Sequence, residues 1–231
     1  MIVIEPGGGL CNYLRVVFSY YALALEKKEQ LLVIWYKTDA CPGLYLDYFL
    51  PIDNVIFEYN NNNNYRIDYS GCSILKQYPS NYSKLELLPA MKSIIINKCK
   101  ILNNNYISVH IRRTDHIFIA KKNNCYTDDV DFFNFIDKDK ETETDTEKET
   151  NSKTTNLYIA TDNKDTFNIF KNKYKDLIKI EYHNTNEYAH RHTTLQDAII
   201  DLYMCVYSLN FMGSGWSSFT DLINDLRQLK N

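Results

Sequence analysis

Short apolar runs alternate with helical patterns along most of this 231-residue chain, and that alternation limits the folds available to it. Runs of branched and aromatic residues predict strands at Ile2–Ile4, Leu31–Trp35, Val55–Phe57, Ile107–Ile111, Leu157–Ala160, Ile178–Glu181 and Leu209–Met212. Apolar residues at helical spacing predict helices at Asn12–Glu26, roughly Lys84–Asn97, Val130–Ile136, Lys164–Lys173, Thr194–Ser208 and Ser217–Leu229. Strands that alternate with helices are typical of α/β proteins with parallel sheets.

Two halves are predicted, because a long helical pattern ends near residue 98 and a new strand begins at Ile107. We expect two small Rossmann-like halves, 1–98 and 99–231, that face each other across a cleft. Residues 137–155 contain no apolar side chain. Such a composition cannot offset the entropy of ordering, so we predict a flexible acidic insertion there.

Net charge and hydropathy exclude several classes of function. The formal net charge is −3, and residues 137–149 contribute seven acids and three lysines, or −4, which leaves +1 for the rest. A nearly neutral body predicts no nucleic-acid partner. No apolar run approaches the ~20 residues that cross a bilayer, and no secretory signal is recognisable, so we expect a cytoplasmic protein without a membrane partner. The abundance of Asn, Ile, Lys and Tyr is typical of AT-rich genes, which adds the host cytoplasm of a virus as an alternative.

Three glycines follow the first predicted strand and precede the first helix, in the order Pro6-Gly7-Gly8-Gly9. Glycines at such a turn let backbone amides approach an anion at the positive end of the helix. The pattern is neither GxGxxG nor a Walker loop. A tight turn that requires positive φ explains the same residues without any ligand.

The stretch VHIRRTDH, residues 109–116, ends a buried strand with two adjacent arginines and an aspartate. In parallel sheets ligands gather at the carboxyl ends of strands, and arginine is the residue best suited to a diphosphate. Asp115 would hold one guanidinium or act as an acid–base group. A surface Arg–Asp pair at the end of an edge strand is the alternative.

Two later strands also end in polar groups. LYIATDN, residues 157–163, delivers Asp162, which could equally cap the next helix. GSGWSS, residues 213–218, combines small residues and hydroxyls with a helix N-terminus, a layout suited to an anion or to simple capping. The six cysteines show no CxxC pairing, and His183, His190 and His192 lie in a polar loop without a carboxylate arrangement. We therefore predict no metal site.

Several of these segments together resemble the fucosyltransferase superfamily. HIRRTD, YIATDN, TTLQDAIIDLYMCVYS and GSGWSSFTDLI resemble its C-terminal half, in order, and are most similar to the α1,6-fucosyltransferases. GGGLCNYLRVVFSYYALA resembles its N-terminal glycine-asparagine motif. The resemblance covers residues 5–26 and 106–224, and it implies a GT-B fold whose C-terminal half holds GDP-fucose.

The resemblance also implies roles for individual residues. Arg112 would bind the β-phosphate, and with Arg113 and Asp115, which brace it, would form the catalytic group. The nucleotide sugar would be bound by Gly8, Gly9, Asn12, His110, Arg112, Asp162, Asp201, Ser217 and Ser218. Within that set, His110 and Asp201 would contact guanine.

The reaction implied is an inverting transfer of fucose to a glycan or protein acceptor, without cofactor or metal. A fixed cation and a helix dipole would stabilise the charge that develops on GDP. The α1,6 enzymes carry Lys and Glu where this chain has His116 and Ala120. The general base is therefore open, and its candidates are Asp115, His116, Asp128 and Asp129. The alternatives are a transferase for another nucleotide sugar and a non-catalytic relative that binds sugar nucleotides or glycans.

Overall fold

The computed structural model describes residues 1–75, 79–114, 117–146, 156–175, 180–182 and 194–230. The chain forms two compact units. Unit 1 comprises Met1–Ile94, Thr194–Ile199 and Asp221–Asn231, and unit 2 comprises Ile95–Thr193 and Ile200–Thr220. Among the described residues, no helix combines the length and the apolar content needed to cross a membrane.

Unit 1 contains a sheet of four parallel strands in the order β3-β2-β1-β4. The strands are β1 (Ile2–Pro6), β2 (Leu31–Ile34), β3 (Val55–Glu58) and β4 (Tyr69–Gly71). Helix α1 (Leu10–Lys27) connects β1 to β2, and short 3₁₀ helices occupy Tyr45–Asp47 and Pro79–Lys84. The apolar residues of β2 are buried, as expected for a parallel strand covered on both faces.

Unit 2 contains a second parallel sheet, in the order β7-β6-β5-β8. Its strands are β5 (Tyr106–Ile111), β6 (Asn156–Thr161), β7 (Ile180–Tyr182) and β8 (Phe211–Gly213). The remaining helices of the chain are α2 (Pro89–Ile101), α3 (Ile117–Lys122), α4 (Asp129–Thr146), α5 (Lys164–Tyr174), α6 (Leu195–Tyr207) and α7 (Ser218–Gln228).

The core of unit 2 forms where two central strands pack against two helices. Val109 and Ile159 of the sheet contact Phe132 of α4 and Phe170 of α5, and none of these four side chains is exposed. Both strands are buried along their entire length, which explains why their sequences are nearly continuous apolar runs. This rigid layer fixes the carboxyl ends of β5 and β6, where the polar residues lie.

The prediction of an α/β fold with parallel sheets is confirmed, but four local features differ from expectation. Strand β4 and helix α3 were not predicted, and α2 begins five residues later than the pattern suggested. Helix α4 continues through residues 137–146, the first part of the segment 137–155 that we predicted as a flexible insertion, and residues 147–155 lie outside the described residues. Glu and Lys are good helix formers even without apolar neighbours, so a helix that has begun at Asp129 can propagate into that segment.

Candidate functional site

The carboxyl ends of β5 and β8 are joined by hydrogen bonds that position Arg112. The Ser214 amide donates to the His110 carbonyl oxygen at 2.8 Å, and the Arg112 amide donates to Ser214 Oγ at 2.9 Å. Ser214 is buried and Arg112 is half-buried. The backbone from which the first arginine projects is therefore fixed at the strand end.

Arg113 lies in a different environment from its neighbour. Its guanidinium donates to Asp129 Oδ1 at 2.6 Å and lies over the rings of Tyr126 and Phe132, 5.1 and 5.7 Å from their centroids. Its side chain is only 8% exposed. These contacts hold the Arg113 side chain in place, while its bracing of Arg112 and any contact with a substrate stay predictions.

Asp162 holds the turn that carries the arginines. Its carboxylate accepts the Arg113 amide at 2.9 Å, and it accepts the Thr114 hydroxyl at 2.6 Å. The following residue, Asn163, caps α5 by accepting the Thr166 amide at 2.8 Å. Asp162 thus has a structural function at the strand end, and its proximity to a nucleotide stays a prediction.

His110 is buried in a polar niche formed by the first turn of α7. Its Nδ1 is hydrogen-bonded to Thr220 Oγ1 at 2.9 Å, and its ring stacks on Phe219 with centroids 4.7 Å apart. A Cβ at Gly213 would lie 2.5 Å from the Thr220 side chain, so glycine is required for Thr220 to take this place. The imidazole orientation is therefore set by β8 and α7.

Asp201 of α6 is buried and accepts a hydrogen bond from the hydroxyl of Tyr158, in the middle of β6, at 2.6 Å. Burial, followed by the adjacent carboxylate, raises the pKa of Tyr158 well above its usual range. The phenol therefore keeps its proton and remains the donor in this hydrogen bond. The predicted contact of Asp201 with guanine is not tested by this arrangement.

The residues that join β8 to α7 leave one buried hydroxyl unsatisfied. Ser217 is 1% exposed, and its Oγ has no hydrogen-bond partner among the described residues. It directly precedes α7, of which Ser218 is the first residue. Burying a hydroxyl without a partner is costly, so this atom is placed to receive a hydrogen bond from outside the chain or to donate one.

The glycine turn of unit 1 also contains an unsatisfied polar atom. Gly8 has a φ of +86°, which confirms that this turn needs positive φ. Gly9 is the N-cap residue of α1 and contributes no side-chain cap. A Cβ added to Gly8 would lie 2.7 Å from the side-chain nitrogen Nδ2 of Asn12. The other end of this amide, Asn12 Oδ1, is buried and has no partner in the part of the chain that the structure describes.

Two of the four candidate bases are occupied by structural interactions. Asp129 is paired with Arg113, and Asp128 Oδ1 accepts the Val130 amide at 3.3 Å in the first turn of α4. Asp115 and His116 lie outside the described residues. In the described ranges, no three His, Cys, Asp or Glu side chains are grouped so that they could hold a metal ion, and His183, His190 and His192 lie outside those ranges.

Several residues that support the site were not identified from the sequence. They are Tyr126, Thr127, Tyr158, Ser214, Phe219 and Thr220. The second glycine of GSG was a usable signal: a Cβ at Gly215 would overlap the carbonyl oxygen of Cys125, and the Gly215 amide donates to Thr127 Oγ1 at 2.9 Å. A tyrosine between the aliphatic residues Leu157 and Ile159 of strand β6 was a second signal.

Comparison with known proteins places these features in a family context. The family model of the GDP-fucose protein O-fucosyltransferases matches residues 75–230, which is more than half of the chain. A search among curated proteins finds no match.

Solved structures of similar fold include two of NodZ and one of POFUT1. NodZ α-1,6-fucosyltransferase co-crystallized with GDP gives a TM-score of 0.65 at 12% identity, covering 96% of this chain and 91% of that chain. Fucosyltransferase NodZ from Bradyrhizobium gives 0.66 at 11% identity, covering 96% and 91%. POFUT1 in complex with GDP gives 0.69 at 10% identity, covering 98% and 94%. At such identities the similarity establishes the fold alone.

Proposed function

Because this chain belongs to the GDP-fucose protein O-fucosyltransferase family, we propose that it transfers fucose from GDP-fucose to a glycan or protein hydroxyl, with inversion and without a metal ion. The observation that carries this proposal is the buried hydroxyl of Ser217, just before α7, which has no partner among the residues that the structure describes. A phosphate oxygen at this helix end would satisfy it and would also meet the positive end of the helix dipole. NodZ and POFUT1, whose folds are similar, have been crystallised with GDP.

The chemistry requires stabilisation of the leaving diphosphate. As the bond between the anomeric carbon and the β-phosphate oxygen breaks, negative charge accumulates on GDP. Arg112, anchored through its amide to Ser214 Oγ at 2.9 Å, would supply a fixed cation, and α7 would supply its dipole. The acceptor oxygen attacks the opposite face of the sugar, which inverts the configuration.

Guanine recognition is assigned to His110 and Asp201. Thr220 and Phe219 orient the imidazole, and Tyr158 orients the carboxylate. Both groups are therefore prearranged before a ligand binds, which lowers the entropy lost on binding. The family resemblance also assigns Gly8, Gly9 and Asn12 to the nucleotide sugar, and Asn12 Oδ1, which has no partner among the described residues, supports a polar ligand at that turn.

The first test is calorimetric titration with GDP, UDP and ADP, followed by a donor-hydrolysis screen across GDP-fucose, GDP-mannose and UDP-sugars. We expect binding of GDP in preference to the others and hydrolysis of GDP-fucose, which needs no acceptor. Equal binding of all three nucleotides would remove the guanine assignment. Hydrolysis should survive EDTA, and a strict requirement for Mn²⁺ would exclude the metal-free mechanism.

A matched pair of serine variants tests whether the Ser217 hydroxyl binds the phosphate. Ser217→Ala removes a hydroxyl that has no partner in the described part of the protein, so we expect weaker GDP binding but no loss of stability in the unliganded protein. Ser214→Ala removes the acceptor of the Arg112 amide, so it should lower the free energy of unfolding by about 1 kcal/mol. If Ser217→Ala binds GDP as tightly as the parent, the phosphate is bound elsewhere.

A further inference from the structure

Trp216 combines a strained backbone with an exposed ring. Its φ is +55°, in the left-handed region, although it is a bulky residue for which this conformation is an outlier. Its side chain is 54% exposed, so packing of the indole in a core does not compensate for the strain. Strain of this kind persists where the surrounding structure imposes it, and it is concentrated at functional sites.

The residues before Trp216 impose this conformation. The Ser214 amide is bonded to His110 and the Gly215 amide to Thr127, at 2.8 and 2.9 Å. Gly215 itself is packed against the Cys125 carbonyl so closely that it admits no side chain. The indole is therefore presented from a loop that is fixed on its N-terminal side by two separate hydrogen bonds.

The residue after Trp216 indicates where a ligand would lie. Ser217 is the buried hydroxyl without a partner among the described residues, and adjacent Cα atoms are ~3.8 Å apart, so the backbone that carries the indole is one residue from the proposed diphosphate site. A diphosphate carries two substituents, the nucleoside and the sugar. The nucleoside is assigned to the side of His110, which is stacked on Phe219 within the helix. The exposed ring before the helix is left to the sugar.

We propose that Trp216 is the stacking platform for the sugar ring of the donor. This inference rests on the proposed use of GDP-fucose. A 6-deoxy sugar presents a methyl group and C–H bonds on one face, and a broad aromatic ring covers such a face without needing a hydrogen bond. Trp216 would thereby select the sugar, whereas His110 and Asp201 select the base.

Intrinsic fluorescence tests the idea directly, because the chain has two tryptophans. Trp35 is fully buried, with its Nε1 bonded to the Gly43 carbonyl at 2.9 Å, so it is shielded from ligands. We expect GDP-fucose to shift and intensify the emission, and GDP alone to change it little. An equal change with both ligands would place the ring on the nucleotide and overturn the proposal. A change with acceptor alone would overturn it as well.

Substitutions at the same position separate stacking from strain. Trp216→Ala should weaken GDP-fucose binding roughly three- to tenfold while leaving GDP binding unchanged, and Trp216→Phe should retain most of the affinity. Trp216→Gly should lose the sugar contribution as well, yet keep its Tm or raise it by up to roughly 4 °C, because glycine tolerates positive φ. A loss of GDP and GDP-fucose affinity in equal measure would exclude a sugar platform.

Lys28→Gly is the matched control for the backbone effect. Lys28 is exposed and has a φ of +57°, so it shares the strain of Trp216 but lies at the end of α1. We expect the same direction of change in Tm and no change in ligand affinity.

Calorimetry on the parent protein distinguishes a failure of the Trp216 proposal from a failure of the proposed function. If GDP-fucose binds more tightly than GDP but neither the fluorescence nor the Trp216→Ala affinity responds, the platform is wrong and the proposed function stands. If GDP-fucose does not bind at all, the proposed function fails and the platform fails with it.

Discussion

The two units share one strand order but carry different residues after the first strand of each sheet. In β3-β2-β1-β4 and in β7-β6-β5-β8, the first strand lies between the second and the fourth. After β1 the chain continues with three glycines and Asn12, whereas after β5 it continues with Arg112 and Arg113. The same strand order therefore leads into glycines in one unit and into two arginines in the other.

Under the proposed function, each of the two turns would meet an anion in a different way. The turn after β1 allows close approach, because Gly8 adopts a φ of +86° and has no side chain. The turn after β5 is instead braced through its side chains, with Asp162 on the backbone and Asp129 on Arg113. Close approach stabilises a bound ligand, whereas a preorganised cation stabilises charge that develops during reaction. On this comparison, catalysis should depend on unit 2 more than on unit 1.

The largest effect is expected for Arg112→Ala. Loss of the cation should cost about 2.7–4 kcal/mol of transition-state stabilisation, the range typical of one charge-stabilising donor. The measurement is kcat for GDP-fucose turnover. Arg66→Ala, at an exposed arginine of unit 1, is the control and should leave kcat unchanged. Equal kcat values for the two variants would contradict the expectation that catalysis depends on unit 2 more than on unit 1.

Glycine substitutions test how rigid the turn is in each unit, through the free energy of unfolding. Gly215→Ala forces a Cβ onto a backbone carbonyl and should lower the free energy of unfolding by about 3 kcal/mol. Gly8→Ala meets the flexible side chain of Asn12 and a positive φ, so about 1–2 kcal/mol is expected. Gly7→Ala has its nearest contact at 3.6 Å and is the control. Denaturant titration measures all three, and a tolerant Gly215 would contradict the rigid loop.

A smaller effect is expected at the Tyr158–Asp201 pair. Tyr158→Phe removes the donor of a 2.6 Å hydrogen bond to a buried carboxylate and should cost about 1.5–3 kcal/mol of stability. Tyr21→Phe, at a tyrosine of α1 in unit 1, is a suitable control. The preference for GDP over ADP should narrow in Tyr158→Phe alone if the phenol orients Asp201. An unchanged preference would mean that Asp201 does not read the base.

The smallest effect concerns a carboxylate of unit 1. Desolvation, followed by the charge of Asp221, raises the pKa of Asp225 above its usual value of 3.8. The folded protein then holds this proton more tightly than the unfolded chain, so ionisation destabilises the fold as pH rises through the folded-state pKa. Asp225→Asn should add less than about 1 kcal/mol at neutral pH, since water screens the site, and nothing below the unfolded-state pKa. Thermal melts at neutral pH and at a pH below the unfolded-state pKa measure this difference in stability, and Asp53→Asn, at an exposed aspartate, is the control. A gain in stability of Asp225→Asn that persists in acid would contradict the raised pKa.

Much of the fold was predictable because parallel strands produce apolar runs that sequence alone reveals. Strand β4 was missed since Tyr69–Gly71 is three residues long and has one apolar side chain to signal it. The end of α4 was missed for a related reason, because its helix-forming residues lack the apolar neighbours that reveal a helix in a sequence. His110, Arg112 and Ser217 could be proposed as site residues because they lie at or just after the carboxyl ends of strands, where parallel sheets gather their ligands, and their roles stay predictions.

The supporting residues could not be predicted, because their partners are distant in the chain. Tyr158 and Asp201 are separated by 43 residues, and His110 and Thr220 by 110. No periodicity or spacing connects such pairs. Family membership was recognisable from motif order, although the family model is that of the protein O-fucosyltransferases, whereas the motifs most resembled the α1,6 group.

The hydrogen bond between the Arg112 amide and Ser214 Oγ spans 102 residues of chain, and β8 is the strand that creates it. Sequence separation of this size slows folding more than it reduces stability. During synthesis β5, β6 and their helices emerge well before β8 does. The turn that carries Arg112 can therefore be completed only after β8 has joined the sheet, so we expect this edge of the sheet to order later than β5 and β6 in a refolding chain.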